Sequence, residues 1–409
     1  MNWKIKREVA AVVMDVNLQA LKVVRSLGRA GVRVVGVVPR KGRWEHSCRY
    51  CQIRESAPDS DDEGGQLDFY LQLAEELGDR PVLVPMHDDN VLFVARHYDR
   101  LQECYRFLIP DPEITQALVS KSGLRDLASK AGVPQPKTFA IESRQDVNRI
   151  VGKLSYPALI KPVFSRSWQT PEARQLVDGK VVVINDDRQL VERFESLAVL
   201  DNRLVLEEMI PGPDRNLVYY IGYFDENSDP LASFVGVKER VIPVHFGSAS
   251  YVVSRNDRRL IDLSTRFMKR VGYKGHVGIE FKYDQRDDSF KLIEVNVRFG
   301  LWDGLPALCG IDFARINYEH LLGEAVRCSQ SFDDGVKWIS FERDVRAFVK
   351  YRREGALTFR NWVRSIATGR RDFAVFALDD PLPFIKSTIS FLGDQVKPKL
   401  LSMMRRTSG

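Results

Sequence analysis

The chain has 409 residues, with 61 basic against 55 acidic side chains, and a length of this order accommodates two or three domains. A formal net charge of +6 is a mild excess for that length, favouring anionic small molecules such as nucleotides without calling for a nucleic acid. No apolar run approaches the ~18–20 residues of a membrane span, residues 9–14 are too short for a signal-peptide core, and five irregularly spaced cysteines argue against a disulfide framework, so the chain is expected in the cytoplasm.

Residues 9–14 read as a short strand. Asn17 is placed to cap a helix reaching Ala30, with Leu18, Leu21, Val24 and Leu27 along one face and Gly31 as its stop. A strand over 32–38 follows, and strand, helix and strand in that order imply a parallel βαβ unit. His46, Cys48 and Cys51 include a CxxC spacing but no second pair follows, so they read as two half-buried thiols in a loop or strand rather than a zinc site. A helix over 67–77, a strand over 81–85 and a helix over 90–101 complete a small doubly wound α/β domain. Asp15-Val16-Asn17 follows the first strand in place of a glycine-rich turn, so the dinucleotide fingerprint is missing.

Asp111-Pro112 opens a connector, and a helix over 120–131 is stopped by Gly132 and Pro134. Short strands then follow at 158–161, 181–185, 204–210, 217–224 and 230–237, with an amphipathic helix over 187–197, as in an α+β region with antiparallel sheet. A helix over 259–271 leads into two further strands. Beyond about Asp333 the chain is rich in Arg, Trp and Phe, carries Asp379-Asp380-Pro381-Leu382-Pro383 and ends in a basic tail. The Arg-rich stretch 352–371 reads first as a solvated face and second as a dock for an anionic polymer or membrane surface.

Residues 274–298 are the most informative. Val277, Ile279 and Phe281 alternate with Gly278, Glu280 and Lys282; Ile293, Val295 and Val297 alternate with Glu294, Asn296 and Arg298. A period of two makes each a half-buried strand. A hairpin centred near Asp287 brings Glu280 level with Glu294. Directly opposed carboxylates repel on an ordinary sheet, and a divalent cation between them reverses the sign. Two glutamates and the Asn296 amide oxygen form a hard oxygen set suited to Mg2+ that bridges phosphates. Arg298, one step along the same face, is placed to stabilise phosphoryl charge. The competing reading is an edge hairpin with a solvated charged face, where Lys282 and Arg298 pair with the glutamates for ~0–1 kcal/mol each.

Upstream, Lys161 ends an apolar strand, a setting that aims its ammonium at a nucleotide phosphate or simply at solvent. Leu204-Val205-Leu206-Glu207-Glu208-Met209-Ile210-Pro211-Gly212 runs from an apolar strand into a Pro-Gly turn. Glu207, Glu208, Met209 and Ile210 supply the apolar slot, backbone groups and acceptor that adenine requires, or else a core strand edged by exposed glutamates. Asp214 is placed to accept ribose hydroxyls.

The order Lys121, Ile160-Lys161-Pro162, Glu207 to Gly212, Glu280, then Glu294-Val295-Asn296-Val297-Arg298 resembles the ATP-grasp superfamily. In particular it is similar to the carboxylate–amine ligases that include D-aspartate ligase, distant relatives of carbamoyl phosphate synthase and biotin carboxylase. Ala20-Leu21, Arg25-Ser26-Leu27-Gly28 and Val84-Pro85-Met86-His87-Asp88-Asp89 extend the likeness toward the N-terminus.

The resemblance implies an α/β and α+β multidomain chain. A doubly wound pre-ATP-grasp domain would occupy residues 1–112, and an ATP-grasp domain 113–330, with a lid at 134–212 and a catalytic core at 213–330. A C-terminal extension, 331–409, would be a substrate lid, a homodimer contact or a docking piece. ATP and one or two Mg2+ ions are implied, with Mn2+ able to substitute. Lys121 and Lys161 would hold phosphates. Glu207 or Glu208 would meet the adenine amino group, and backbone groups of Glu208 and Ile210 would complete that contact. Asp214 would take the ribose and Lys238 the transferred phosphate. Glu280, Glu294 and Asn296 would bind the metal, and Arg298 the acyl phosphate. In the loop 246–250, Gly247, Ser248 and Ser250 would let backbone N–H groups approach the substrate carboxylate. Where relatives carry a glycine-rich phosphate cover, this chain has Phe164-Ser165-Arg166-Ser167-Trp168, with Ser165, Arg166, Ser167 and Lys180 as substitute contacts.

The implied reaction joins a small-molecule carboxylate to an amine through an acyl phosphate. A carboxylase or phosphotransferase on the same fold is the first rival, and a non-catalytic ATP-binding module the second. His245 and His276 lie nearest the site in sequence and read mainly as structural hydrogen-bond partners.

Overall fold

The computed structural model describes residues 8–56, 62–163, 168, 170–177, 181–326 and 331–393. Their strands form three sheets.

The first sheet is parallel, in the order β3-β2-β1-β4, and is built from β1 (Ala11–Met14), β2 (Val34–Val38), β3 (Gln52–Glu55) and β4 (Val82–Pro85). Every residue of β1 and β2 is buried, as a parallel sheet covered on both faces requires. The helix Ala20–Arg29 links β1 to β2. Asn17 caps this segment, with its side-chain oxygen accepting from the N–H groups of Gln19 (2.8 Å) and Ala20 (3.1 Å). The chain leaves β1 toward β2 on one side and later returns to β4 on the other. The crevice at the carboxyl ends of β1 and β4 is therefore the switch point where such sheets take ligands. The helix expected over 90–101 is two helices, Asp88–Arg96 and Tyr98–Cys104, because His97 (φ −106°, ψ 24°) leaves the helical range.

The second sheet is antiparallel, in the order β5-β8-β6-β7, from β5 (Thr138–Ile141), β6 (Ala158–Pro162), β7 (Val182–Ile184) and β8 (Leu204–Glu208). Ala158, Ile160, Leu204 and Leu206 pack with Leu190, Phe194 and Leu197 of the helix Asp187–Ala198 in a core of their own. Alternation leaves Leu159, Lys161, Val205 and Glu207 on the other face.

The third sheet has seven strands in the order β13-β12-β9-β10-β11-β14-β15. Its members are β9 (Leu217–Phe224), β10 (Pro230–Ile242), β11 (Ser248–Ser254), β12 (Gly275–Asp284), β13 (Ser289–Asn296), β14 (Lys337–Ile339) and β15 (Arg371–Phe373). The run of strands expected over 158–237 thus divides between two sheets. The loop expected over 246–250 is instead the entry to β11, paired with β10.

The segment beyond 331 adds β14 and β15 to the edge of this sheet, with Trp338 fully buried. The Asp379–Pro383 turn finds its role here. Asp380 receives the Arg25 guanidinium at 2.9 Å, with both side chains out of solvent. Asp379 receives Arg29 and the Tyr50 hydroxyl, and Lys22 reaches Asp372 at 2.6 Å. The end of the chain thereby grips the helix that follows β1. Among the described residues no helix is long and apolar enough to cross a membrane.

Breaking a buried ion pair strands the surviving charge and costs about 3–5 kcal/mol, whereas replacing both partners with apolar side chains is far milder. In urea denaturation Asp380→Ala should lose stability of that order, and Arg25→Met with Asp380→Leu should recover most of it. Equal losses in the single and double variants would mean that the pair does not anchor the chain end.

Candidate active site

The hairpin β12–β13 sets the geometry. Its register places Glu280 opposite Glu294 and Gly278 opposite Asn296, with a bulge between Glu280 and Phe281. Ile279 and Phe281 are fully buried, so the sheet backs the two glutamates with a packed core. Side chains of directly opposed residues share a face at ~4.5–5.5 Å between Cβ atoms. The repulsion is answered by the buried Lys238 of β10, whose ammonium contacts the Glu280 carboxylate. The same ammonium lies 5.3 Å from the centre of the Tyr219 ring, and Tyr219 itself pairs with Glu280 across β9 and β12. Gly278 is required by this packing, since a Cβ there would stand 2.0 Å from the Tyr219 hydroxyl oxygen. Burial pushes the Tyr219 phenol well above its ordinary pKa, which keeps it neutral beside the carboxylates.

Beyond β13, Arg298 donates from Nη2 to the Asn296 side-chain oxygen at 2.9 Å and from Nη1 to the Phe299 carbonyl at 3.2 Å. Its Nε lies 3.2 Å from Asp88, the first residue of the helix that follows β4 of the first sheet. Burial pushes the Asp88 carboxyl pKa up, with Arg298 opposing and Glu294 adding to the rise. These relations bring the glutamates, Asn296 and Arg298 against the switch-point crevice of the first sheet.

The second sheet contributes lysines. Lys161 Nζ reaches Glu207 at 2.5 Å, and Lys121, at the first turn of the helix Lys121–Lys130, donates to the Pro162 carbonyl at 2.6 Å. Glu208 is held by Arg286 at 2.7 Å; its N–H donates to the Lys137 carbonyl at 2.8 Å and its carboxylate accepts from the Lys137 N–H at 3.3 Å. This ties the end of β8 to the β12–β13 turn. The Met209 N–H donates to the Pro157 carbonyl, and Ile210 is buried.

Two sequence candidates are committed elsewhere. Ser250 is fully buried and donates to Asp344 at 3.1 Å, which withdraws it from substrate contact. Asp214 is buried under the Tyr351 hydroxyl and accepts from the His245 backbone at 3.3 Å, so its oxygens are engaged within the protein rather than presented to a ribose. Gly247 presses against the backbone of Ile242, and the Ser248 carbonyl accepts from Arg343. His245 pairs with Asp214, and His276 stacks on Phe299 with its centroid 4.0 Å away. Burial pushes the Cys48 and Cys51 thiols up to about 12, as inert structural thiols require. Phe164, Ser165, Arg166, Ser167, Gly179, Lys180 and the basic tail beyond 393 lie outside the described residues.

Sequence reasoning read Asn17 only as a helix cap and His87 and Asp88 only as part of the resemblance, and did not bring them together with Asp15 at the ends of β1 and β4. A positive φ of 64° at Asp15, directly after a strand, is the structural sign of a special position. Its only sequence signal was the Asp15-Val16-Asn17 turn where a glycine-rich one was sought. A cavity of about 520 Å3 lies along the helix Ala20–Arg29, lined by Lys22, Asp303, Asp312, Arg315 and Asp372 among others, and contains none of the candidate site residues.

No family model matches the chain. The D-aspartate ligase of Enterococcus faecium is 21% identical over 322 residues, covering 75% of this chain and 76% of its own. The solved L-amino acid ligase of Bacillus licheniformis superposes with a TM-score of 0.59 at 18% identity, over 78% of this chain and 75% of that one. The biotin carboxylase domain of the Hydrogenobacter thermophilus 2-oxoglutarate carboxylase, solved with MgADP and bicarbonate, gives 0.58 at 18% identity, over 78% and 71%. The chain has the ATP-grasp fold. Its relatives in sequence are ligases and carboxylases of that fold.

The donor set also passes a chemical test. Among the described residues no group of three or more His, Cys, Asp or Glu forms a metal cage. An ion here would draw on two carboxylates, one amide oxygen and phosphate oxygens, the partial protein coordination that Mg2+ prefers. Removing the buried Lys238 ammonium should therefore expose the repulsion between Glu280 and Glu294. Lys238→Met is expected to cost about 3–5 kcal/mol in metal-free buffer and to regain part of that loss in millimolar Mg2+. Thermal melts with and without the ion check this; a loss that Mg2+ leaves untouched would remove Glu280 from the metal site.

Proposed function

We propose that the chain is an ATP-dependent carboxylate–amine ligase that forms an amide or peptide bond through an acyl phosphate, releasing ADP and phosphate. The observation that carries this reading is the register pairing of Glu280 with Glu294 beside Asn296 and Arg298. Likeness to a D-aspartate ligase and an L-amino acid ligase supports amino acids as the substrate class.

A carboxylate is a poor electrophile because its leaving group would be oxide, and phosphorylation by ATP supplies a better one. When bound, Mg2+, or Mn2+ in its place, neutralises phosphate charge; Glu280, Glu294 and Asn296 would hold it. Lys161 and Lys121 would grip phosphates from the second sheet, exchanging their contacts with Glu207 and the Pro162 carbonyl. The β8 end, with Glu207, Glu208, Met209 and Ile210, would seat adenine, its position held by the Glu208–Arg286 pair. Lys238 would meet the transferred phosphoryl group. Arg298, braced by Asn296 and Asp88, would orient the acyl phosphate, so the chain contributes positioning and fixed charge rather than a nucleophile. The Gly247–Ser248 backbone would meet the substrate carboxylate. This reading includes a pre-ATP-grasp unit at 1–112, an ATP-grasp unit at 113–330, a buttress from 331 onward, and a cytoplasmic setting where ATP is available.

Carboxylase chemistry is the second reading, favoured by the biotin carboxylase likeness. Incubation with ATP, Mg2+ and pools of D- and L-amino acids, with hydroxylamine as the trapping amine, separates them. A ligase gives substrate-dependent ADP and a hydroxamate. Bicarbonate-dependent ADP release without hydroxamate would establish the carboxylase instead. Glu294→Ala should lower turnover by about 10²–10³-fold while its melting curve stays cooperative; undiminished turnover would refute the metal assignment.

A further inference from the structure

The charge of the chain is unevenly placed. Residues 331–409 hold 15 of the Lys and Arg and 9 of the Asp and Glu, an excess of six that equals the +6 of the whole chain; residues 1–330 balance at 46 of each. Between 341 and 371, nine basic side chains face three acidic ones, and one of the three, Asp344, is buried against Arg240. The positive charge is therefore a property of one surface rather than of the molecule at large.

An inverted helix lies on the same surface. Residues 382–393 are helical, and Leu382, Ile385, Ile389 and Leu392 recur at steps of three and four, so they share one face. That face is turned to solvent: the four residues are 46%, 49%, 64% and 55% exposed. The opposite face, with Pro383 and the 4% exposed Ser387, is the one that packs on the protein. The Phe391 ring of this helix lies 5.2 Å from the Arg346 guanidinium carbon, which sets it beside the helix Phe341–Arg353. Phe348 of that helix stacks on Trp362 of the helix Phe359–Ala367, with ring centroids 4.7 Å apart. The three helices are thus neighbours. Val349, Phe359 and Val363 add exposed apolar side chains. Exposed cations flank them, Arg346, Lys350 and Arg353 around Val349, and Arg360 and Arg364 around Val363.

Single exposed apolar residues are ordinary, but an aliphatic stripe rimmed by cations marks an interaction surface. The possible occupants differ in charge. A second copy of the chain would bring like charges together. So would the sequence after residue 393, which sets Lys397, Lys399, Arg405 and Arg406 against Asp394 alone. A nucleic acid would answer the arginines and leave the aliphatic stripe in water. An anionic bilayer answers both, because its headgroups attract the cations and its acyl boundary takes the apolar side chains. We propose that the face formed by the helices Phe341–Arg353 and Phe359–Ala367 and by helical residues 382–393 docks the protein on a membrane surface that carries anionic lipid. Apolar burial and a polybasic patch are the two signals that together hold a protein at such a surface.

Docking there leaves the candidate active site clear. The Ser250 and Tyr251 hydroxyls of β11 hold the first two helices through Asp344 and the Ser365 carbonyl. Two strands, β10 and β9, separate β11 from the hairpin that carries Glu280 and Glu294. The exposed side chains of the docking face can therefore be changed without touching the glutamates.

The test is sedimentation of the full-length protein with vesicles, either phosphatidylglycerol mixed with phosphatidylcholine or phosphatidylcholine alone, in about 0.1 M salt. The protein should bind the mixed vesicles at least roughly tenfold more tightly than the neutral ones, and the binding should weaken as salt rises. Arg360→Gln with Arg364→Gln should weaken it by about 10–30-fold. Ile385→Ser with Ile389→Ser should weaken it by about tenfold or more. All four side chains are exposed, so both variants should melt with the wild type, and each tests one half of the surface on its own. Wild-type protein that stays in solution beside anionic vesicles, or that binds neutral ones equally, overturns the proposal. Undiminished binding in the isoleucine variant does the same, since the surface would then hold a polyanion through charge alone. A lipid-free dimer in sedimentation velocity that the isoleucine variant dissociates would make a second copy the occupant and also overturn it.

Discussion

Opposed carboxylates on neighbouring antiparallel strands are the constraint to which the rest of the structure answers. Glu280 and Glu294 cannot separate, because the register that pairs them also buries Ile279, Phe281, Leu292 and Val295. A slip of one residue would turn the glutamates into the core and the apolar set toward the cleft. Their charge must therefore be met in place. Lys238 meets Glu280, Arg298 meets the Asn296 oxygen, and the neutral Tyr219 fills the face between, admitted by Gly278. Repulsion that would weaken an ordinary hairpin becomes a fixed negative field suited to a cation.

The first and third sheets share one hydrophobic core, and charged contacts add ties around the hairpin. Arg298 reaches Asp88, just past β4 of the first sheet, and Arg286 reaches Glu208 of the second. The segment beyond 331, which the sequence left as lid, dimer contact or dock, packs against the rest of the chain among the described residues. It extends the third sheet, holds Asp214 through Tyr351, and grips the helix Ala20–Arg29 through Asp372, Asp379 and Asp380. The residues just before that helix, Asp15 and Asn17, line the crevice, so anchoring the helix from behind also steadies the crevice wall.

The Glu280–Glu294 pairing was legible because two period-two runs and a short turn point to one register; the bulge after Glu280, which buries Leu292 and leaves Ile293 half-buried against the expected alternation, was not. The strand ending at Lys161 was legible for the same local reason. What escaped was non-local. His87 and Asp15 are 72 residues apart and meet only because β1 and β4 are neighbours in the sheet, a pairing no local pattern announces. Ser250 and Asp214 were misread in the opposite direction. Each is a polar residue in a suggestive position, yet the partners that bury them, Asp344 and Tyr351, lie 94 and 137 residues away. The strands β14 and β15, three residues each, are too short to carry a period.

Two ion pairs in the site share a logic that bears on how nucleotide and metal bind. Lys238 with Glu280, and Lys161 with Glu207, each join a cation that phosphate attracts to a partly buried carboxylate. A phosphate that took Lys238 alone would strand Glu280, and a metal that took Glu280 alone would face an unpaired ammonium; both are costly where water is scarce. Bound together, phosphate and metal would give Lys238 and Glu280 new partners at the same moment, whereas Glu207 would turn to adenine. On the proposed assignment, the charge arrangement of β10 and β12 would favour the metal–nucleotide complex over either component.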